Sequence, residues 1–187
     1  MPLPWPATAE GPARDAPLPA SGRHECRILV GGVGYRNLRD MSAGPELVER
    51  LQEMDWPTGV QVEDLSFGAV HVLHWLQERP PFDAVLLIAA VARGRPPGSV
   101  TRYAWGVRET TGEAVQQAIA EAVTGVISLD TLLIVLGYFA ALPPRVVVIE
   151  LEPRDDDWGL DFSPIVQTAL DEAVQVVATE VRSIAGQ

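Results

Sequence analysis

The chain predicts a three-layer α/β domain: a twisted, mostly parallel sheet with helices on both faces. Three observations carry this. The runs AVLLIAA (Ala84 to Ala90) and RVVVIEL (Arg145 to Leu151) are continuously apolar, as strands covered on both faces must be. Between such runs lie segments with helical spacing, and strand and helix patterns alternate along the chain. Pro and Gly punctuate the changes, most clearly at Pro80-Pro81 and Pro143-Pro144.

Taken in order, Arg27 to Val33 reads as the first strand, closing in glycines. Pro45 to Met54 reads as a helix. Pro45 suits its first position and Glu46 its first turn, and Leu47, Val48, Leu51 and Met54 share one face. Val60 to Glu63 is a second strand. Phe67 to Gln77 is a helix with Val70, Leu73 and Trp75 or Leu76 turned inward. Ala84 to Ala90 is the central strand. The PPG turn at 96–98 sends the chain back as an edge strand, Ser99 to Trp105. Glu113 to Val123 and the more apolar Ser128 to Leu142 are helices, and Gly137 interrupts the apolar run of the second. Arg145 to Leu151 is the fifth strand. Ser163 as N-cap and Pro164 at the first position open a last helix to about Ile184. Ile165, Ala169, Leu170, Ala173, Val176, Val177 and Val181 form its stripe.

A chain of 187 residues holds one domain more readily than two. Residues 1–24 are rich in Pro, Ala and Gly without periodicity, which predicts a disordered extension ahead of a folded domain over 25–187. The N-terminus lacks the basic start and apolar run of a signal peptide, and no apolar run reaches the roughly 18 residues of a membrane span. A cytoplasmic protein is expected. The net charge is −11, all 14 basic residues are Arg, and this acidity argues against nucleic-acid and anionic-membrane partners. A small basic patch, Arg93, Arg95 and Arg102, either meets an acidic partner or simply solvates a loop. The single cysteine, Cys26, excludes an internal disulfide and a cysteine-cluster metal site. It precedes the first strand, at the sheet edge opposite to where α/β sites form.

Three blocks carry more information: ILVGGVGYRNLRDMSAG (Ile28 to Gly44), ARGRPPGS (Ala92 to Ser99) and IELEPRDDDWGLDFSPIV (Ile149 to Val166). In this order and spacing they resemble the hydrogenase maturation endopeptidases, which clip the C-terminal tail of nickel-iron hydrogenase large subunits. The resemblance runs from about Arg27 to the last helix. It implies a phosphorylase/hydrolase-like fold with a five-stranded, mostly parallel sheet, and Ser99 to Trp105 as the antiparallel strand. It also implies a nickel grip of two acidic side chains and a histidine. Carried over, the first acidic position follows Asp40 and is Met41. The second, at the end of the central strand, is Ala89. The histidine position, at the start of the helix after the edge strand, falls on Gly125, and no His follows His74. Ala and Gly offer no side-chain donor, and a thioether is a poor replacement for a carboxylate on a divalent first-row ion. No metal and no other cofactor is therefore expected.

Other constellations were open to the sequence. His71 and His74 stand three apart on one helix, near Asp64 in the chain, and read as a metal pair or as two polar-face histidines. Asp40 and Asp64 both follow strands at the functional edge, as an acid–base pair or as caps of backbone N–H groups. Asp155-Asp156-Asp157 is a weak cation site or a solvated turn. Gly32-Val33-Gly34 begins a dinucleotide fingerprint, but Asn37 stands where the third glycine belongs and the helix starts late.

The resulting expectation is a maturation-protease-like protein without proteolytic activity. It uses the surface around Gly32, Gly34, Asp40, Met41, Asp64, Ala89 and Gly125 to bind a nickel-iron hydrogenase large subunit or a maturation factor. Two alternatives stand beside it. One is an active nickel-dependent endopeptidase with relocated ligands, using Asp40, Asp64 and His71. The other is a repurposed domain with a small ligand in the emptied pocket.

Overall fold

The computed structural model describes residues 25–106 and 110–186. The extension expected over 1–24 lies outside the described residues. The strands are β1 (Ile28–Val33), β2 (Val60–Asp64), β3 (Ala84–Ala90), β4 (Val100–Trp105) and β5 (Arg145–Leu151). They form one sheet in the order β2-β1-β3-β5-β4, with only β4 antiparallel to its neighbour. The expected fold class is the observed one, and Ser99 to Trp105 is the antiparallel strand. β3 and β5 are buried along nearly their whole length, which is why their sequences do not alternate.

The helices are α1 (Ala43–Gln52), α2 (Ala69–Gln77), α3 (Gly112–Val123), α4 (Leu129–Tyr138) and α5 (Pro164–Ala185). Alternate strand residues feed two cores. Val33, Leu87, Ala89 and Val148 pack with α2, α3 and α4 on one face. Val30, Ile88, Ile149 and Leu151 pack with α1 and α5 on the other.

Four expectations need correction. A 3₁₀ turn, Arg39–Ser42, feeds α1, so that helix starts two residues before Pro45. α4 stops at Tyr138, short of Leu142, because Ala140 takes a positive φ of 51° and turns the chain before Pro143. Ser163 occupies the N-cap of α5 but makes no cap bond with its side chain. Ile165 is 45 % exposed rather than inward, since the stripe of α5 begins at Val166.

The site's position follows from the topology. β1 pairs β2 on one side and β3 on the other, so the chain reverses its direction of progress across the sheet between β1 and β3. A crevice opens at the C-terminal ends of such strands. α1 approaches β1 there without intervening side chains. A Cβ on Gly32 would meet the backbone carbonyl of Gly44 and the Val48 side chain, and one on Gly44 would meet the backbone of Val33. Gly32→Ala is expected to destabilise the chain by about 1–3 kcal/mol, read from the urea midpoint, because backbone must move to admit the methyl group. An unchanged midpoint would contradict the close approach.

Candidate functional site at the carboxyl edge of the sheet

Three segments meet at this edge: the loop from β1 to α1, the turn from β3 to β4, and the long segment from β5 to α5. Each is held by a buried carboxylate. Asp40 is fully buried. Its Oδ1 accepts from the backbone N–H of Ser163 at 2.7 Å. Its Oδ2 accepts from the N–H of Arg154 at 2.9 Å, the N–H of Asp155 at 3.0 Å and the Ser163 hydroxyl at 2.8 Å. This is why Ser163 does not cap its own helix. Two backbone links add to the seam: Arg39 N–H donates to the Gly159 carbonyl and Gly159 N–H to the Asn37 carbonyl. Asn37 takes φ 65°, a conformation that Asn tolerates better than most residues.

Glu152, from the Glu152-Pro153 pair, is 3 % exposed and shapes the turn after β3. It accepts from the N–H groups of Arg93 and Gly94 and from Arg95 Nε at 3.1 Å. Glu150, two residues earlier on the same strand face, is 2 % exposed. It accepts from Arg93 Nη2, Arg95 Nη2 and the Tyr103 hydroxyl at 2.8, 2.8 and 2.9 Å. Burial alone would raise the pKa of both carboxyls. The donors outweigh it, and both stay below the ordinary glutamate range. Burial, with Glu150 beside it, pushes the Tyr103 hydroxyl up to about 12. Arg93 reaches on to Asp130 in the first turn of α4, with Nη1 and Nη2 donating to its two oxygens at 2.8 and 2.6 Å.

The sequence-predicted residues are distributed unevenly over this edge. Gly32, Gly34 and Asp40 belong to the β1 side and serve the backbone there. Met41 packs with the core beneath α1 and α5, whereas Ala89 lies in the core of the opposite face. Gly125 sits exposed in the turn between α3 and α4 at φ 85°, and α4 itself begins at its N-cap Ser128. That turn is tied to the β1 loop, because Ile127 N–H donates to the Tyr35 hydroxyl at 2.9 Å. Asp64 is engaged by Arg36 at 2.9 Å and by the N–H of Ser66 at 3.0 Å, which together hold its pKa down against burial. His71 and His74 are both exposed on α2. Asp155 turns back on the N–H of Asp157 and pairs with Arg39.

The basic patch needs correction. It is not turned out to an acidic partner, and it does not merely solvate a loop. Arg93 and Arg95 are paired within the chain, and Arg102 bridges to Glu180 of α5 at 2.8 Å. The residues that the sequence reading missed are Asp130, Tyr103, Glu150 and Glu152. A partial signal was present: Glu150 and Glu152 are spaced by two at the end of β5, the spacing that puts extended residues on one face, whereas Arg93 and Arg95 lie in the loop after β3, where spacing says nothing of direction.

These residues do not fit a nickel ion. Asp40 is occupied by four protein donors, and Met41, Ala89 and Gly125 supply no hard ligand. Among the described residues no three His, Cys, Asp or Glu side chains gather as a metal site. Nor does the glycine turn fit a phosphate, since Gly34 N–H already donates to the Ser66 hydroxyl at 3.2 Å and Leu38 N–H to the Ser42 hydroxyl at 3.0 Å. Asp40→Asn, which sets an amide N–H₂ against donors, is expected to cost about 3 kcal/mol in a denaturation experiment. A loss near zero would mean that Asp40 does not hold the seam.

Solved structures similar to this chain include hydrogenase maturation proteases. A hydrogenase 2 maturation peptidase from a Thaumarchaeota archaeon is 28 % identical, with a TM-score of 0.59 over 83 % of this chain and 97 % of its own. The hydrogenase maturating endopeptidase HybD of E. coli is 21 % identical, with a TM-score of 0.65 over 84 % and 93 %. A [NiFe] hydrogenase maturation protease HycI from Thermococcus kodakarensis is 18 % identical, with a TM-score of 0.61 over 86 % and 95 %. No family model and no curated protein matches the chain. The chain has the fold of these proteases.

Proposed function

We propose, for a chain with the fold of the hydrogenase maturation proteases, that it is a non-cleaving relative that binds a nickel-iron hydrogenase large subunit or an assembly factor. One observation carries the reading. At the edge where the resemblance places a metal grip, every buried carboxylate is already spent on the protein's own donors. Asp40 holds backbone, while Glu150 and Glu152 hold Arg93 and Arg95. An endopeptidase of this kind needs free hard ligands to place its ion, and a positively charged guanidinium beside Glu150 repels one.

What remains is a surface. Trp158 and Leu160 are each 76 % exposed on the segment that Asp40 fastens, flanking Gly159. A rigidly held pair of exposed apolar side chains suits binding better than it suits solvent. The metal-independent reading also agrees with the acidity of the chain, which favours a protein partner over nucleic acid. The reading with relocated ligands has less behind it. Asp40 and Asp64 are both engaged, and His71 faces solvent without two further ligands among the described residues.

Incubated with a nickel-loaded large-subunit precursor, the purified chain is expected to leave the precursor uncut and to elute with it in size-exclusion chromatography. Precursor cleavage that disappears in Asp64→Ala or His71→Ala would establish the endopeptidase instead. Co-elution with no hydrogenase component would remove the binding role.

A further inference from the structure

The face of the sheet opposite α1 and α5 carries a cavity of about 880 Å³ between β4, α3 and α4, open to solvent. Its size is that of a small-molecule site. Three aromatic rings line it: Tyr103 and Trp105 from β4, and Tyr138 from the end of α4. Leu133 and Ile134 of α4 add an apolar wall. The shape is built in. A Cβ on Gly137 would come within 2.8 Å of the Trp105 ring, so the glycine in the last turn of α4 is what seats the indole.

The polar end is the ion cluster already described. Arg93, Asp130 and Glu150 all reach the cavity, and with Arg95 and Glu152 behind them the cluster sets two guanidiniums against three carboxylates. Arg93 gives its donors to those carboxylates, so an anionic ligand finds little to bind. Glu150 is closed by Arg93, Arg95 and Tyr103. Asp130 differs: among the described residues its hydrogen-bonded partner is Arg93, and its side chain is 52 % exposed. Each of its oxygens keeps accepting capacity on the open side.

We infer that this cavity binds an organic cation with an apolar body, an amine or guanidinium whose charge meets Asp130 and whose stem lies against Trp105, Tyr103 and Tyr138. Aromatic faces and a carboxylate both attract cations, and the apolar wall selects against a bare inorganic ion. The cation comes either from a free amine or from a basic side chain of a peptide. This assignment is independent of the hydrogenase reading and survives its failure.

The test is a titration of the full chain, followed by tryptophan fluorescence and calorimetry. The probes are phenethylamine, its neutral counterpart phenethyl alcohol, and the anion phenylpropionate. Saturable binding of the amine is expected, with the alcohol about ten-fold weaker and the acid weaker still. Asp130→Asn is expected to weaken the amine about ten-fold and to leave the alcohol unchanged. Tyr138→Ala, a change at a residue 60 % exposed and thus tolerated by the fold, is expected to weaken both. A capped Phe-Arg dipeptide in the same titration separates the sources: the tighter of dipeptide and free amine names the ligand's origin. Equal affinity for amine and acid, absence of binding by either cation, or amine binding unmoved in both variants would overturn the assignment.

Discussion

Glu150 is a carboxylate almost wholly removed from water at the end of an interior strand. A buried anion is tolerated only when donors surround it, and removing one partner of such a pair costs about 3–5 kcal/mol. Here the donors are Arg93, Arg95 and Tyr103. That requirement organises the edge around it. It fixes the course of the turn after β3, with Glu152 gathering the backbone of the same turn. It brings Arg93 within reach of Asp130, which ties the first turn of α4 to the sheet. It turns Tyr103 inward, and so sets one wall of the cavity beside α4.

The same interaction bears on function through Ala89. Ala89 is the register partner of Glu150, on the same face of the neighbouring strand. A carboxylate at that position would stand one strand spacing, about 4.8 Å, from Glu150. Two adjoining carboxylates call for a cation between or beside them. In this chain the position holds Ala89, and the cation beside Glu150 is the guanidinium of Arg93, four residues further along. The proposed loss of metal chemistry and the observed internal ion cluster are thus one electrostatic arrangement. Asp40 does the equivalent work on the β1 side, where four donors use a carboxylate that the sequence leaves available for several roles.

Much of the fold was legible in the chain. β3 and β5 have the expected bounds, since uninterrupted apolar runs between Pro and Gly signals leave little choice. Helix ends were less legible, because they depend on tertiary partners. Ser163 carries the right residue type for an N-cap, yet its hydroxyl goes to Asp40, which lies 123 residues away in the chain. Ala140 stops α4 through a backbone angle that no residue preference announces. At the site, acceptance of backbone N–H groups by Asp40 and Asp64 was among the readings the sequence offered, whereas the ion pair of Asp64 with Arg36 was not. The fate of the arginines was not. The pairing of Arg93 and Arg95 with Glu150 and Glu152 joins positions more than 50 residues apart, and only the strand register brings them together. Asp130 was hidden for the same reason, inside a helix read for its apolar side.

The central claim is that the charged groups at this edge satisfy one another and leave no place for a divalent ion. Calorimetric titration of Ni²⁺ into the purified full chain tests it most directly. The account predicts no saturable heat beyond weak surface association. Tight uptake of one ion per chain, abolished by Asp130→Asn or Glu150→Gln, would contradict it.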